Sequence, residues 1–395
     1  MALVRIGDAG VDMTRSIFSS FDPFYFTEET ASTVSIDYRT SNRRDYAVRV
    51  DGVNLNTTTL TGTANRALET VNGVLLFEVT GFSAPISAGF LIGPSQSFPL
   101  AQSIILGGDD TIQGGAGNDV LLALSGNNTI NGGGGNDTAA YDVSSIVAPS
   151  YRFRDEAVVF RAPVKQADLL IGVETLRFTN ITVPQASLAA AQPFQYAASY
   201  GDLTAKFGTD EVAAWRHFAQ TGLAEGRAVT FSGLNYIASY ADLRTTYRTD
   251  AEAGARHYLA SGRTEGRAAT FDGQRYIASN PDLIRILPKT TDAGAMHFIA
   301  FGAAERRVTA TFDPLRYIAS NRDLIRAFGI NEARGTDHYV ASGFAENRPT
   351  TAFNPTQYLA NYADLRAAFR TDLRAATLHY IQSGAAENRV STPLA

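Results

Sequence analysis

The sequence predicts a β + α multidomain protein: an N-terminal β domain containing a short parallel β-roll of two coils, then an all-α tandem array of five helical hairpins. Two periods carry this reading. A nine-residue, glycine-rich period runs from Ile105 to Ala140, and a period of 40 or 41 residues, marked by Tyr196, Tyr236, Tyr276, Tyr317 and Tyr358, fills the C-terminal half. Size points the same way, because 395 residues exceed what one hydrophobic core organises. The expected divisions are a β-rich part at 1–104, the roll at 105–140 and a β cap at 141–188, which close the first domain. Five helical repeats follow over 191–395 (about 191–230, 231–270, 271–311, 312–352 and 353–395).

Residues 1–104 read as strands broken by turns. Asp45 to Val50 alternates polar and apolar residues before an Asp51-Gly52 turn, and Val74 to Phe82 is a second, mostly buried run ending near Pro85. Asn54 to Thr63, rich in Thr and Asn, reads as an exposed edge or a loop. The aromatic cluster Phe18, Phe21, Phe24, Tyr25 and Phe26 is assigned to core packing rather than to a ligand patch.

The nine-residue period consists of ILGGDDTIQ, GGAGNDVLL, ALSGNNTIN and GGGGNDTAA, with Asp110, Asp119, Asn128 and Asp137 in one slot. Glycines let the first six residues turn tightly and bring backbone carbonyls together, while the carboxylate adds a hard anionic oxygen; calcium takes six to eight such oxygens. Three strand residues follow, so that Ile112, Leu121, Ile130 and Ala139 stack inward. Each block makes half a coil, which places blocks one and three on one edge and blocks two and four on the other. One calcium ion is expected between Asp119 and Asp137, with carbonyls from Gly115, Gly117, Gly133 and Gly135. On the opposite edge Asp110 faces Asn128; the amide removes a charge, so that site is expected to be weaker, with Asp109 as the carboxylate that could compensate.

This stretch resembles the RTX, or hemolysin-type calcium-binding, repeat family. The resemblance implies a secreted protein exported unfolded by type I secretion and folding where calcium is abundant. Metal that binds only the folded state stabilises it by about 2.7 kcal/mol at a hundredfold excess over the dissociation constant. Here about 250 residues follow the repeats, whereas the family usually carries them near its C-terminus. The first twenty residues hold Arg5, Asp8, Asp12 and Arg15 without a hydrophobic stretch, so no cleavable signal peptide is expected, and Val390 to Ala395 shows no recognisable export signal.

Two coils bury little apolar area, and the flanks are expected to cap them. After the roll, Tyr151 to Phe153 and Ala157 to Arg161 read as a hairpin around Asp155-Glu156, followed by an apolar run through Leu169, Leu170, Ile171, Val173, Leu176 and Phe178. Asp137 to Val183 resembles the β cap that follows hemolysin-type repeats.

Within each C-terminal copy a short turn such as Tyr236 to Ala238 leads to Ser-x-x-Asp (Ser239/Asp242 and equivalents, with Asn361/Asp364 last), the spacing of a helix-capping box. Pro281 fits the first turn of such a helix. One helix passes through Leu243 and Tyr247; a second carries Ala255, Tyr258 and Leu259 and stops at Gly262, as its equivalents stop at Gly222, Gly302, Gly343 and Gly384. Copy three has Leu287 and Arg306 where the others have aromatics and Gly or Asn, so a different turn is expected there. These copies resemble the helical repeats ending in HYxxxGxxEGR that accompany calcium rolls in bacterial surface proteins.

All five histidines, His217, His257, His297, His338 and His379, occupy one repeat position. Each is expected to bond a backbone carbonyl or the Glu of its own GxxE[GN]R turn rather than to act as a base or metal ligand. The Glu/Arg pairs, from Glu225/Arg227 to Glu387/Arg389, are expected to form ion pairs between repeats.

Composition bounds the partners. The chain has no cysteine, which excludes disulfides and thiolate chemistry. Acidity lies in the roll-bearing half: 12 Lys and Arg against 19 Asp and Glu up to Ala190, then 22 against 20. No basic nucleic-acid surface and no transmembrane run is expected. There is no HExxH, GxSxG or P-loop, so no catalytic residues are assigned. The favoured function is a calcium-dependent secreted structural or surface protein that self-assembles or anchors at the cell surface, as surface-layer or matrix proteins do. A calcium-stabilised adhesin binding surface polysaccharide ranks second, and an enzyme with an accessory roll last.

Overall fold

The computed structural model describes residues 108–122 and 124–393 throughout and, before them, six strands given mostly as backbone. A β-sheet region around residues 111–190 is followed by an array of fifteen short α-helices. The chain divides into two compact units. One comprises Met1–Tyr196 with Asp210–Ala228; the other comprises Ala197–Thr209 with Val229–Ala395. Among the described residues no helix is long and apolar enough to cross a membrane.

In the first unit, strands β1 (Leu3–Ile6), β2 (Tyr25–Glu29), β3 (Thr33–Arg39), β4 (Asp45–Asn56), β5 (Thr61–Val71) and β6 (Val74–Pro85) precede the glycine-rich turns. Strand β4 runs straight through the expected Asp51-Gly52 turn, which is instead a register shift against β5. A bulge absorbs the residue that a turn signal seemed to require. Phe18, Phe21 and Phe24 lie outside the described residues.

The nine-residue blocks supply β7 (Thr111–Gln113), β8 (Val120–Leu122), β9 (Thr129–Asn131) and β10 (Thr138–Ala140). Strands β7 and β9 pair in parallel in one sheet, β8 and β10 in another, so successive blocks alternate between two faces. Ile112, Leu121, Ile130 and Ala139 are fully buried between them. Both ends are covered: β1 pairs in parallel with β7 at one end. At the other end the cap contributes β11 (Ser150–Phe153), β12 (Glu156–Arg161), β13 (Gln166–Ile171), β14 (Thr175–Arg177), β15 (Thr182–Pro184) and β16 (Ala189–Ala190). The hairpin of β11 and β12 forms as expected. Strand β13 pairs in parallel with β9 and β14 with β10, continuing the alternation for a third coil. Leu170 and Leu176 extend the buried column.

Each helical repeat has three short helices, not the two expected. In the second copy these are Gly233–Ser239, Ala241–Tyr247 and Ala251–His257, the last running into a π-helical turn that ends at Gly262. The stretch read as a turn, Tyr236 to Ala238, is thus helical. Its residues Gly233, Leu234, Tyr236, Ile237 and Ala238 are all buried, so it shows no amphipathic stripe by which a helix announces itself. Neighbouring copies meet through named bonds: Asn235 donates to Thr291, and Arg275 and Arg316 donate to the carbonyls of Phe312 and Phe353.

The expected capping box does not form. Ser239 ends the first helix, and its Oγ accepts the N–H groups of Thr270 and Phe271 at 2.9 Å, tying one copy to the start of the next. Asp242 instead pairs with Arg267 of its own copy at 2.7 Å. Pro281 does open its helix. The Glu/Arg pairs also lie within one copy, as in Arg267 to Glu265, so they do not set the register between copies. In copy three the second helix stops one residue earlier, at Ile286, and its C-cap Leu287 is extended (φ −94°), whereas the C-caps of the other copies, Gly208, Arg248, Gly329 and Arg370, have φ of 50–55°. It does not differ at Arg306, whose φ of 53° matches Asn347 and Asn388 at 54°.

Candidate metal centre

Turns 114–119 and 132–137 stack on one edge. Gly133 and Gly135, at φ +93° and +105°, sit over the carbonyls of Gly115 and Gly117; a Cβ on either would lie within 2.1 and 2.7 Å of those oxygens. The Gly115 carbonyl also accepts the Gly134 N–H at 2.8 Å. Asp137 Oδ1 accepts the N–H of Asp119 one coil back at 2.8 Å, and Asp119 Oδ2 accepts the N–H of Gly115 at 2.8 Å. Asp137 Oδ2 is buried and receives no hydrogen bond. Burial pushes this carboxyl up to about 6, the Asp119 and Glu174 carboxylates add to the rise, and the Asp119 N–H opposes it. A buried, half-satisfied carboxylate on an edge of stacked glycine turns suits a hard divalent cation. Among the described residues no three His, Asp or Glu side chains cluster as a metal site, so an ion here draws on backbone oxygen.

The opposite edge has the same ladder with other chemistry. Asn128 Oδ1 accepts the Asp110 N–H at 2.9 Å, and Asp109 accepts the N–H of Asn127 at 2.8 Å. Asp109 is thereby engaged in turn-to-turn stacking. The ladder goes on past the nonapeptides: Asp168, fully buried, accepts the Asn128 N–H at 2.9 Å. There a positive charge is already present. Buried Arg161 donates to the carbonyl of Gly126 at 2.6 Å and lies 3.3 Å from Asp168. Burial pushes the Asp168 carboxyl up to about 6 while Arg161 holds it down.

Arg161, Asp168, Gly172 and Glu174 escape the sequence reading because the third coil lacks nonapeptide glycines. One signal remains. Asp168-Leu-Leu-Ile and Glu174-Thr-Leu-Arg repeat the acid, any residue, apolar, any residue order of Asp119-Val-Leu-Leu.

In the helical array the Nδ1 atom of every histidine meets a tyrosine hydroxyl, a partner not expected from the sequence, while His338 also acts electrostatically on the Glu346 of its own turn. The Nδ1 atoms of His217, His257, His297, His338 and His379 bond the hydroxyls of Tyr196, Tyr236, Tyr276, Tyr317 and Tyr358 at 2.9–3.0 Å. Each tyrosine is fully buried, and its hydroxyl presses on the glycine that ends the π-helical turn. The same tyrosine–histidine bond thus recurs in all five copies.

Residues 106–139 match a family model described as the RTX calcium-binding nonapeptide repeat, in four copies. This indicates calcium binding, by repeats typical of secreted proteins. No curated protein matches the chain. Among solved structures, the chain is similar to the extracellular lipase LipA from Serratia marcescens, at 22% identity over 18% of this chain and 13% of the lipase, with a TM-score of 0.12. The chain therefore spans only a small part of that enzyme's length, and a likeness of this order says nothing about activity.

Proposed function

We propose that the chain is a calcium-dependent, secreted structural or surface protein. In this reading residues 105–140 form a β-roll that holds calcium between Asp119 and Asp137, and the helical repeats are scaffolding for self-assembly or anchoring. The observation that carries the calcium dependence is the buried Oδ2 of Asp137, which receives no hydrogen bond, on the edge where turns 114–119 and 132–137 stack. Without a cation this atom is an uncompensated cost. The scaffold reading draws on the uniform use of all five histidines. It is supported further by four large apolar side chains exposed in the third repeat: Ile286, Met296, Phe301 and Val308.

Electron microscopy of the full chain with and without calcium tests this function. Calcium-dependent sheets or filaments are expected. Monodisperse particles that bind surface polysaccharide would replace the assembly reading with adhesion, and assembly indifferent to chelation would remove calcium from it.

A further inference from the structure

The third coil repeats the geometry of the first two at one telling point. An ideal Cβ placed on Gly114 would lie 1.9 Å from the carbonyl oxygen of Gly132 and 2.9 Å from Asp119 Oδ2. Placed on Gly132, it would lie 2.0 Å from the carbonyl oxygen of Gly172 and 2.5 Å from Asp137 Oδ2. Gly172 therefore plays for the third coil the part that Gly132 plays for the second. The Gly172 carbonyl and Asp137 Oδ2 are both within reach of one point, hence no more than 4.5 Å apart, the sum of 2.0 and 2.5. Calcium–oxygen distances of 2.3–2.6 Å let one ion bridge oxygens up to about 5.2 Å apart.

Glu174 completes the set. Its Oε2 accepts the Asp137 N–H at 2.7 Å, as Asp137 accepts that of Asp119. Glu174 is itself exposed, but it reaches the main chain of Asp137, which is 1% exposed and whose Oδ2 has no donor. On the opposite edge the corresponding step is occupied by the Arg161 guanidinium between the Gly126 carbonyl and Asp168. No described arginine or lysine bonds Asp137 or Glu174.

We infer that Asp137, the Gly172 carbonyl and Glu174 form a further site for a hard divalent cation, outside the matched nonapeptides, so that the calcium-bearing edge runs one step longer than the repeats. The inference rests on calcium binding by the nonapeptide turns, as proposed above. The two are separable because Asp119 belongs to the first position and Glu174 to the second.

Calorimetric titration of the full chain with calcium, beside Glu174→Gln and Asp119→Asn, tests it. Glu174→Gln is expected to lose one bound ion or to weaken one site about tenfold or more, while the Asp119-dependent ion persists. Asp119→Asn is expected to retain one ion, an arm that stands even if Glu174→Gln fails to fold. Equal stoichiometry and affinity in Glu174→Gln and the parent chain would overturn the further site, as would loss of all binding in Asp119→Asn. A parent chain that binds no calcium would overturn the nonapeptide reading and this inference with it.

Discussion

Asp137 Oδ1 accepts the main-chain N–H of Asp119 at 2.8 Å, and its second oxygen is left buried without a donor. One side chain thus links two coils through the first oxygen and leaves the second without a hydrogen bond. The same slot on the other edge is held by Asn128, whose Nδ2 donates to Asp168 at 2.8 Å. An amide satisfies itself within the protein where a carboxylate does not. The two edges therefore differ in the positive charge the protein itself supplies, Arg161 lying beside Asp168 on one of them.

Arg161 supplies the second edge with a positive charge of its own, 3.3 Å from Asp168. Arg161→Met is expected to destabilise the β unit by about 3–5 kcal/mol, because it strands the fully buried Asp168 carboxylate. Arg161→Met with Asp168→Asn should recover much of the loss. Urea unfolding of the three proteins checks this, and a single variant within about 0.5 kcal/mol of the parent, the scale of an ordinary surface substitution, would contradict it.

Gly262 is required for space, and Gly266 for backbone angle. A Cβ at Gly262 would lie 2.0 Å from the Tyr236 hydroxyl. Gly262→Ala should cost about 1–3 kcal/mol and break the bond to His257. Gly266 has φ +71° with open space around it, and Asn347 and Asn388 hold the equivalent place. Gly266→Asn should therefore be nearly neutral in thermal melting, whereas Gly266→Val should not.

Removing only a hydroxyl separates bonding from packing. Tyr236→Phe keeps the ring buried and leaves His257 Nδ1 without its partner at 2.9 Å, at a cost of about 1 kcal/mol. The histidine resonances in NMR spectra should shift for His257 alone among the five.

Alkaline pH reports on the array as a whole. Burial pushes the phenols of Tyr236, Tyr276, Tyr317 and Tyr358 from 10 up to about 12. A group that keeps its proton longer when folded adds stability that is complete below pH 10 and is lost as pH rises through 12. Ultraviolet titration should show a late class of tyrosines ionising together with loss of helical circular dichroism. Early, non-cooperative ionisation of every tyrosine would contradict the arrangement.

The nine-residue blocks are legible in the sequence because their period is strict: every ninth residue repeats a turn or a core position, and Ile112, Leu121, Ile130 and Ala139 are buried as that period requires. The third coil is illegible by the same rule. Its Gly172-Val173-Glu174 turn is three residues long, and the hairpin of β11 and β12 separates it from Ala140. The helical array reveals its period but not its helix count, since the first helix of each copy is buried nearly all round. Tyr and His stand 21 residues apart in every copy, even as the step between copies changes from 40 to 41. That constancy marks them as partners within one unit, although nothing in composition says which atoms meet.

The most direct test of the central claim is the melting temperature of the first unit within the full chain, followed across a calcium titration for the parent protein and Asp137→Asn. Asn128 shows that an amide fits this slot, so the substitution changes charge with little change in shape. Mass action predicts that the parent gains about 1.4 kcal/mol for each tenfold rise in calcium above the dissociation constant, with the dependence much reduced in Asp137→Asn. A parent melting temperature that ignores saturating calcium, or one that responds equally in Asp137→Asn, would contradict the account.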